Sequence, residues 1–286
     1  PFTACALQCG EEDVAVAEVS SFQLATISTL HPHIAVMCNI TEDQLNRHGT
    51  MEEYIRVKER IFENMGQGDY AVLNLDDPIV RGMAERIPCA PAFFSRRQEV
   101  ETGAYLEGEE VVFSLNGHKK RVLRADEIRI PCEHNLENAL AATAACLCLG
   151  VRPNAVKDGL AGFTGAGRRF EFKGKYNGAD IYDDYAHHPQ ELKALLDAVE
   201  PLGYNRTVLV FQPHTYTRTA ALFDAFIEQL RRPDVTYLAE ISAAREQNTL
   251  GLYSADLATP IDGSTLRPAF ADLDRHRRTT TAPAPT

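Results

Sequence analysis

The 286-residue chain has no tryptophan, only four methionines and no G-x-x-x-x-G-K-[ST] stretch. Without that loop, nothing in the sequence offers the usual backbone cradle and lysine for the β- and γ-phosphates of a nucleotide. Positive charge is also scarce. Against 40 Asp and Glu stand 29 Lys and Arg, a formal net charge of −11. That balance argues against nucleic acid or an anionic membrane as main partner, so an anionic substrate must be met by a local cluster of cations or a metal. No apolar run approaches the ~18 residues of a membrane span, and no signal peptide is visible. The seven cysteines (Cys5, Cys9, Cys38, Cys89, Cys132, Cys146, Cys148) form no CxxC pair. An odd number at irregular spacing fits reduced thiols in a cytoplasmic protein, not a disulfide framework. Internal repeats are absent too.

What is present is ordinary globular material, 44% hydrophobic and 24% charged, with a length that suggests two domains of roughly 150 residues each. Residues 14–17 (VAVA) and 34–38 (IAVMC) read as short buried strands, each running into a polar cluster. A continuous apolar run of this kind suits a parallel strand covered on both faces, whose carboxyl end is where α/β proteins place ligands. Helical spacing follows over 51–65, then a buried strand Tyr70–Asn74 that ends in Asp76-Asp77-Pro78. From about 105 to 130 the pattern alternates, with Asn116-Gly117 as a hairpin turn. An Ala-rich helix covers Asn135–Gly150, and Gly162–Gly167 is the linker at which the domains are expected to divide. The second part shows a hairpin at Asn177-Gly178 and a helix over 189–200. The strand Thr207–Phe211, a helix from about 218 to 231 and the strand Val235–Ala239 follow. Strands alternating with helices predict a parallel sheet. The tail 274–286 lacks core formers and is expected to be disordered.

Four polar clusters stand at strand ends. Glu18 with Ser20 and Ser21 could bind a metal or cap the next helix, and Thr41-Glu42-Asp43-Gln44 could be a capping box. Asp183-Asp184-Tyr185-Ala186-His187-His188 has metal-ligand residue types. Adjacent strand residues point to opposite faces, however, so the four cannot all converge on one ion. The run Phe211-Gln212-Pro213-His214-Thr215-Tyr216-Thr217-Arg218 takes another buried strand into a polar loop, a common place for function.

The longer runs resemble the ATP-dependent Mur ligases of bacterial cell-wall synthesis. EVSSFQL (18–24), NITEDQLNRHGTMEEYIRVKERIFEN (39–64) and EHNLENALAA (133–142) are similar to the central domain of the D-glutamate-adding members. From about 167, GRRFEFKGKYNGADIYDDYAHHPQELKA, VFQPHTYTRT and ISAAREQNTLG resemble the C-terminal domain of the L-alanine-adding members. The resemblance implies an α/β fold: a truncated central ATPase-type domain (1–164) with a mostly parallel sheet and a small β-hairpin layer. A Rossmann-like α/β C-terminal domain (165–270) and the tail 271–286 would follow. It implies ATP and Mg2+ as cofactors, a UDP-N-acetylmuramoyl substrate and a small amino acid as partners, and a cytoplasmic setting. In such ligases ATP phosphorylates the substrate carboxylate and the amino acid's amine attacks the acyl-phosphate, a transfer between anions that needs metal and cations.

Residue by residue, Glu18 matches the family's acidic magnesium ligand, and Lys58 the lysine that many members carbamylate to hold a second magnesium. Asn135 and Asn138 match the residues that hold adenine. Arg169 and Asp184 match the pair the C-terminal domain brings to the nucleotide, which replaces the zinc reading of Asp184. His187, His188, His214, Tyr216 and Arg218 would orient the incoming amino acid, with Arg218 offering bidentate geometry to its carboxylate. Ser242–Glu246 would line the same pocket.

Three departures qualify the match. The family's phosphate loop would lie ahead of Pro1, so the chain reads as a fragment expected to form no ADP alone. Gln44 stands where the family has a magnesium-binding histidine, although an amide oxygen still suits that hard cation. The family's glycine-rich closing segment is replaced by DRHRRTTTAPAPT. The resulting expectation is a ligase adding L-alanine to UDP-N-acetylmuramate, with D-glutamate addition or a non-catalytic remnant as alternatives.

Overall fold

In the computed structural model, described for residues 8–10, 12–42, 45–130, 133–261 and 266–268, two compact units emerge. The first runs through Arg129 and resumes over Asn135–Phe163; the second takes in Ile130–His134 and continues from Thr164.

The first unit begins with α1 (Ser21–Leu24), β1 (Ile34–Met37), α2 (Leu45–His48), α3 (Met51–Glu59), β2 (Tyr70–Asn74) and α4 (Pro78–Met83). It continues with β3 (Ala90–Ser95), β4 (Gly103–Glu107), β5 (Glu110–Leu115), β6 (His118–Arg124), α5 (Glu133–Cys148) and α6 (Pro153–Gly162). One six-stranded sheet has the order β1-β2-β3-β4-β5-β6. The first four strands are parallel, and β4, β5 and β6 are antiparallel. Strand β2 shows why a continuous apolar run was needed. Val72 packs into the cluster with Leu140, Ala141 and Ala144 of α5, while Ala71 and Leu73 pack into the one with Tyr54 of α3 and Val80 and Met83 of α4. Each face of the pleat meets helices, so the strand is apolar through Leu73 and turns polar only at its last residue, Asn74, whose amide is hydrogen-bonded. The helices start at side-chain caps: Thr50 accepts from the Glu53 N–H, and Asp77 accepts from Ile79 and Val80 just before Pro78.

The second unit comprises β7 (Glu171–Tyr176), β8 (Ala179–Asp183), α7 (Pro189–Val199), β9 (Val208–Phe211), α8 (Tyr216–Ala221), α9 (Phe223–Leu230), β10 (Val235–Leu238), α10 (Ser254–Ala258) and β11 (Leu266–Pro268). Strands β9, β10 and β11 form a parallel sheet, and β7 pairs with β8 as an antiparallel hairpin. Its core gathers Leu192, Phe211, Phe226, Leu230, Leu238 and Leu257. The α/β class read from the sequence holds.

Two expectations fail. Residues 14–17 form no strand, and Val14 and Val16 are 62% and 94% exposed. An apolar run becomes a buried strand only where neighbours cover it, and among the described residues none lies beside this one. The helix expected over 218–231 starts earlier, at Tyr216, and breaks at Leu222, whose φ of −114° and ψ of 26° leave the helical region. No glycine or proline marks that break. The tail 274–286 lies outside the described residues.

Candidate ligand sites at the strand ends

In the first unit the carboxyl ends of β1, β2 and β3 are stitched together by side chains. The Asn74 amide donates to the Cys38 carbonyl (2.8 Å), and the Ile40 N–H donates to Asp77 (3.2 Å). Asp76 accepts from the Ser95 hydroxyl (2.7 Å) and the Arg96 N–H (2.8 Å). Arg96 in turn donates to Glu137 on α5 (2.8 Å), between Asn135 and Asn138. Asn135 is half-buried and Asn138 exposed, three residues apart on one side of that helix. Burial pushes the Cys38 thiol up, with Lys58 pulling it down and Glu137 adding to the rise. The lysine of α3 and the start of α5 therefore act on the same strand end. Lys58 itself rests over the Tyr54 ring, its Nζ 5.5 Å from the centroid.

Glu18 is exposed on an extended arm, and Ser20 rather than Glu18 caps α1 in a capping box with Gln23. Arg60 and Asn64 hold the far end of that arm. Arg60 donates to the carbonyls of Ala25 (2.6 Å) and Ile27 (2.8 Å), and Asn64 to those of Ser28 and Leu30 (both 3.0 Å). Gln44 lies outside the described residues. Among the described residues no group of three or more His, Cys, Asp or Glu is arranged to hold a metal. Magnesium shared with phosphates asks for less, one or two carboxylates with water completing its shell, and the exposed Glu18 fits that donor set.

The second unit brings three of the amino-acid-site candidates together. The rings of His187 and His214 lie 5.7 Å apart, and Arg218 reaches His214 Nδ1 at 3.4 Å. Burial, then the Arg218 charge and His187, hold the His214 imidazole below its ordinary pKa, which favours the neutral ring. The loop is pinned by Ser242, which bridges His214: the Thr215 N–H donates to the Ser242 carbonyl and the Ser242 N–H to the Pro213 carbonyl, both at 2.8 Å. Thr215 accepts a positive φ of 67° there. Glu246 accepts from Thr217 at both N (3.0 Å) and Oγ1 (2.5 Å), so the SAARE segment does meet the start of α8. Tyr216 opens that helix, half-buried.

The other candidates serve the local architecture. His188 caps α7, its Nδ1 accepting from the Gln190 N–H. Asp184 takes the Phe170 and Ala186 N–H groups on its two oxygens, each at 2.7 Å. Arg169 and Arg168 lie over the Tyr185 ring, at 5.8 and 4.5 Å. Reading the sequence missed Asn74, Ser95, Arg96 and Glu137, for which only the Asp76-Asp77-Pro78 strand end was a signal.

Comparison with known proteins matches this arrangement to one family. The Mur ligase middle domain matches residues 2–146, and the domain described as Mur ligase, glutamate ligase domain matches residues 168–272. UDP-N-acetylmuramoylalanine–D-glutamate ligase of Pelotomaculum thermopropionicum is 46% identical over 195 residues, 68% of this chain and 43% of that protein. UDP-N-acetylmuramate–L-alanine ligase of Clostridium acetobutylicum is 33% identical over 260 residues, 88% of this chain and 56% of that protein. The chain thus spans about half the length of these curated relatives. The crystal structure of the UDP-N-acetylmuramate–alanine ligase of Thermotoga maritima shares the fold, with a TM-score of 0.60 at 22% identity over 89% of this chain and 54% of that one. With its middle-domain match covering half of its length and a second domain match behind it, the chain belongs to the Mur ligase family.

Proposed function

We propose that this chain supplies the metal, adenine and amino-acid ends of an ATP-dependent ligase of peptidoglycan precursor synthesis, one whose whole protein joins L-alanine to UDP-N-acetylmuramate. In this reading residues 1–164 handle the nucleotide and 165–270 the amino acid. ATP with Mg2+ supplies the activation of the substrate carboxylate. Glu18, with Lys58 as its carbamate, would hold the metal, and Asn135 and Asn138 the adenine. Arg169 and Asp184 would serve the nucleotide from the second unit. His187, His188, His214 and Tyr216 would border the amino acid, and Arg218 would take its α-carboxylate in bidentate fashion.

One observation favours alanine. The groups gathered at His214 combine the Arg218 guanidinium with the Glu246 carboxylate, which acts on the same imidazole. A single cation suits a single carboxylate, whereas the γ-carboxylate of glutamate would be set against Glu246. The 46% identity to the D-glutamate ligase keeps D-glutamate as the second reading. The test is calorimetric titration of the chain with a non-hydrolysable ATP analogue present, L-alanine being offered with UDP-N-acetylmuramate and D-glutamate with UDP-N-acetylmuramoylalanine. L-alanine binding that is lost in Arg218→Ala supports the proposal. D-glutamate binding without L-alanine binding replaces it with the second reading.

A further inference from the structure

Helix α1 is four residues long, too short to persist on local hydrogen bonds, so its place depends on what grips it. At one end Arg60 and Asn64 hold the carbonyls that follow it. At the other, His48 Nε2 meets the buried Ser21 hydroxyl at 3.0 Å. The same imidazole packs against two rings in tilted geometry, 6.0 Å from Phe22 of α1 and 5.4 Å from Tyr54 of α3. The Tyr54 ring in turn carries Lys58, whose ammonium lies 5.5 Å from its centroid. Phe22, His48, Tyr54 and Lys58 therefore form one continuous chain of ring contacts from the helix after Glu18 to the lysine of α3. Gly49, at a φ of +82°, makes the reversal that lets His48 turn back onto α3 immediately before the Thr50 cap.

We infer that His48 is a positioning residue that couples the Glu18 arm to Lys58: its Nε2 holds Ser21, and its ring packs against the Tyr54 ring on which the lysine rests. The importance of Glu18 and Lys58 rests on the ligase reading above; the coupling does not. A ring that only filled space would be replaceable by leucine. A coupling ring would not be, because stacking and hydrogen bonding are separate interactions with separate readouts.

The experiment labels lysine side chains at Cε with carbon-13 in the full chain and assigns the Lys58 signal by Lys58→Arg. The Tyr54 ring current places the Lys58 Hε signals upfield of the other lysines. Hydrogen exchange of the Leu24 and Ala25 amides, which donate to Ser20 and Ser21 carbonyls, reports the grip on α1. His48→Leu is expected to lose the upfield position and speed exchange. His48→Phe should keep the Lys58 signal but speed exchange, whereas His48→Gln should do the reverse. Ser21→Ala should speed exchange only. Unchanged signals and exchange in His48→Leu overturn the inference. If that variant does not fold, the same response in Phe and Gln overturns it as well. Lys58 signals that follow His48 but ignore magnesium-ATP support the coupling while counting against the ligase role of Lys58.

Discussion

Replacing Glu246 by glutamine keeps the shape of the side chain and removes one charge beside the proposed amino-acid site. The carboxylate accepts two bonds from Thr217, at 3.0 and 2.5 Å, at the start of α8. A hydrogen bond to a charged group is worth ~1.5–3 kcal/mol against ~0.5–1.5 for a neutral one, so the two bonds lose ~2 kcal/mol between them. An anion beside a helix N-terminus adds ~0.3–1 kcal/mol. Half exposure lets solvent screen much of this, leaving an expected loss of ~1–2 kcal/mol. Burial pushes the Glu246 pKa up, but the Thr217 hydroxyl and N–H prevail and hold it below the ordinary carboxylate value. The folded pKa is therefore the lower one. The stabilisation is complete above the unfolded value of about 4.3 and is lost as pH falls through the folded value. Urea unfolding followed by circular dichroism should show Glu246→Gln weaker than wild type at neutral pH. The gap should close in acid. Equal stabilities at neutral pH, or a gap that stays open when the carboxylate is protonated, would refute the assignment.

Phe226 is fully buried against Phe211 in the core of the second unit, and Phe226→Ala should cost about 3–5 kcal/mol. Hydrogen exchange should rise in the second unit while α5 in the first stays protected. Gly103 has a φ of +130°, and a Cβ there would sit 1.8 Å from the Phe93 carbonyl oxygen. Backbone strain of ~1–2 kcal/mol and overpacking of ~1–3 kcal/mol put Gly103→Ala at ~2–5 kcal/mol, read by urea unfolding. Buried Asp69 accepts from His31 (2.7 Å), His33 (2.9 Å) and the Gly66 N–H (2.8 Å), and these partners, His31 first, hold its pKa well below the usual range. Asp69→Asn should lower the melting temperature at neutral pH by an amount that narrows only below the unfolded carboxylate pKa of about 3.9.

How far the sequence reveals this molecule depends on whether a residue's role is local. Tyr70–Asn74 and the Asn116-Gly117 turn were legible because alternation, apolar runs and turn chemistry act within a few residues. Thr50 and Asp77 caps are local too. The run 14–17 misled because burial is a property of neighbours, and Val16 has none among the described residues. The break at Leu222 has no sequence mark, since the core takes Phe226, Ile227 and Leu230 in one piece and Thr219 in the other. At the sites, motif positions located His214 and Arg218. The motif also pointed to Ser242–Glu246, but not to the bonds it makes in the fold: Ser242 bridges His214 through the backbone, and Glu246 accepts from Thr217, next to Arg218.

The charge balance gives these placements their meaning. With a net charge of −11 the surface repels anions as a whole, and many arginines are paired with carboxylates, among them Arg56 with Glu53, Arg124 with Glu109 and Arg232 with Asp197. Arg169 is placed otherwise, over the Tyr185 ring beside the loop that leads to His187, and Arg168, 3.9 Å from Asp183, lies over the same ring. A guanidinium on an aromatic face keeps its in-plane donors directed outward, so it stays able to meet a phosphate or carboxylate. Under the proposed ligase reading, whose substrates are anionic, a cation held on a ring is a point of local attraction on a surface that otherwise repels anions.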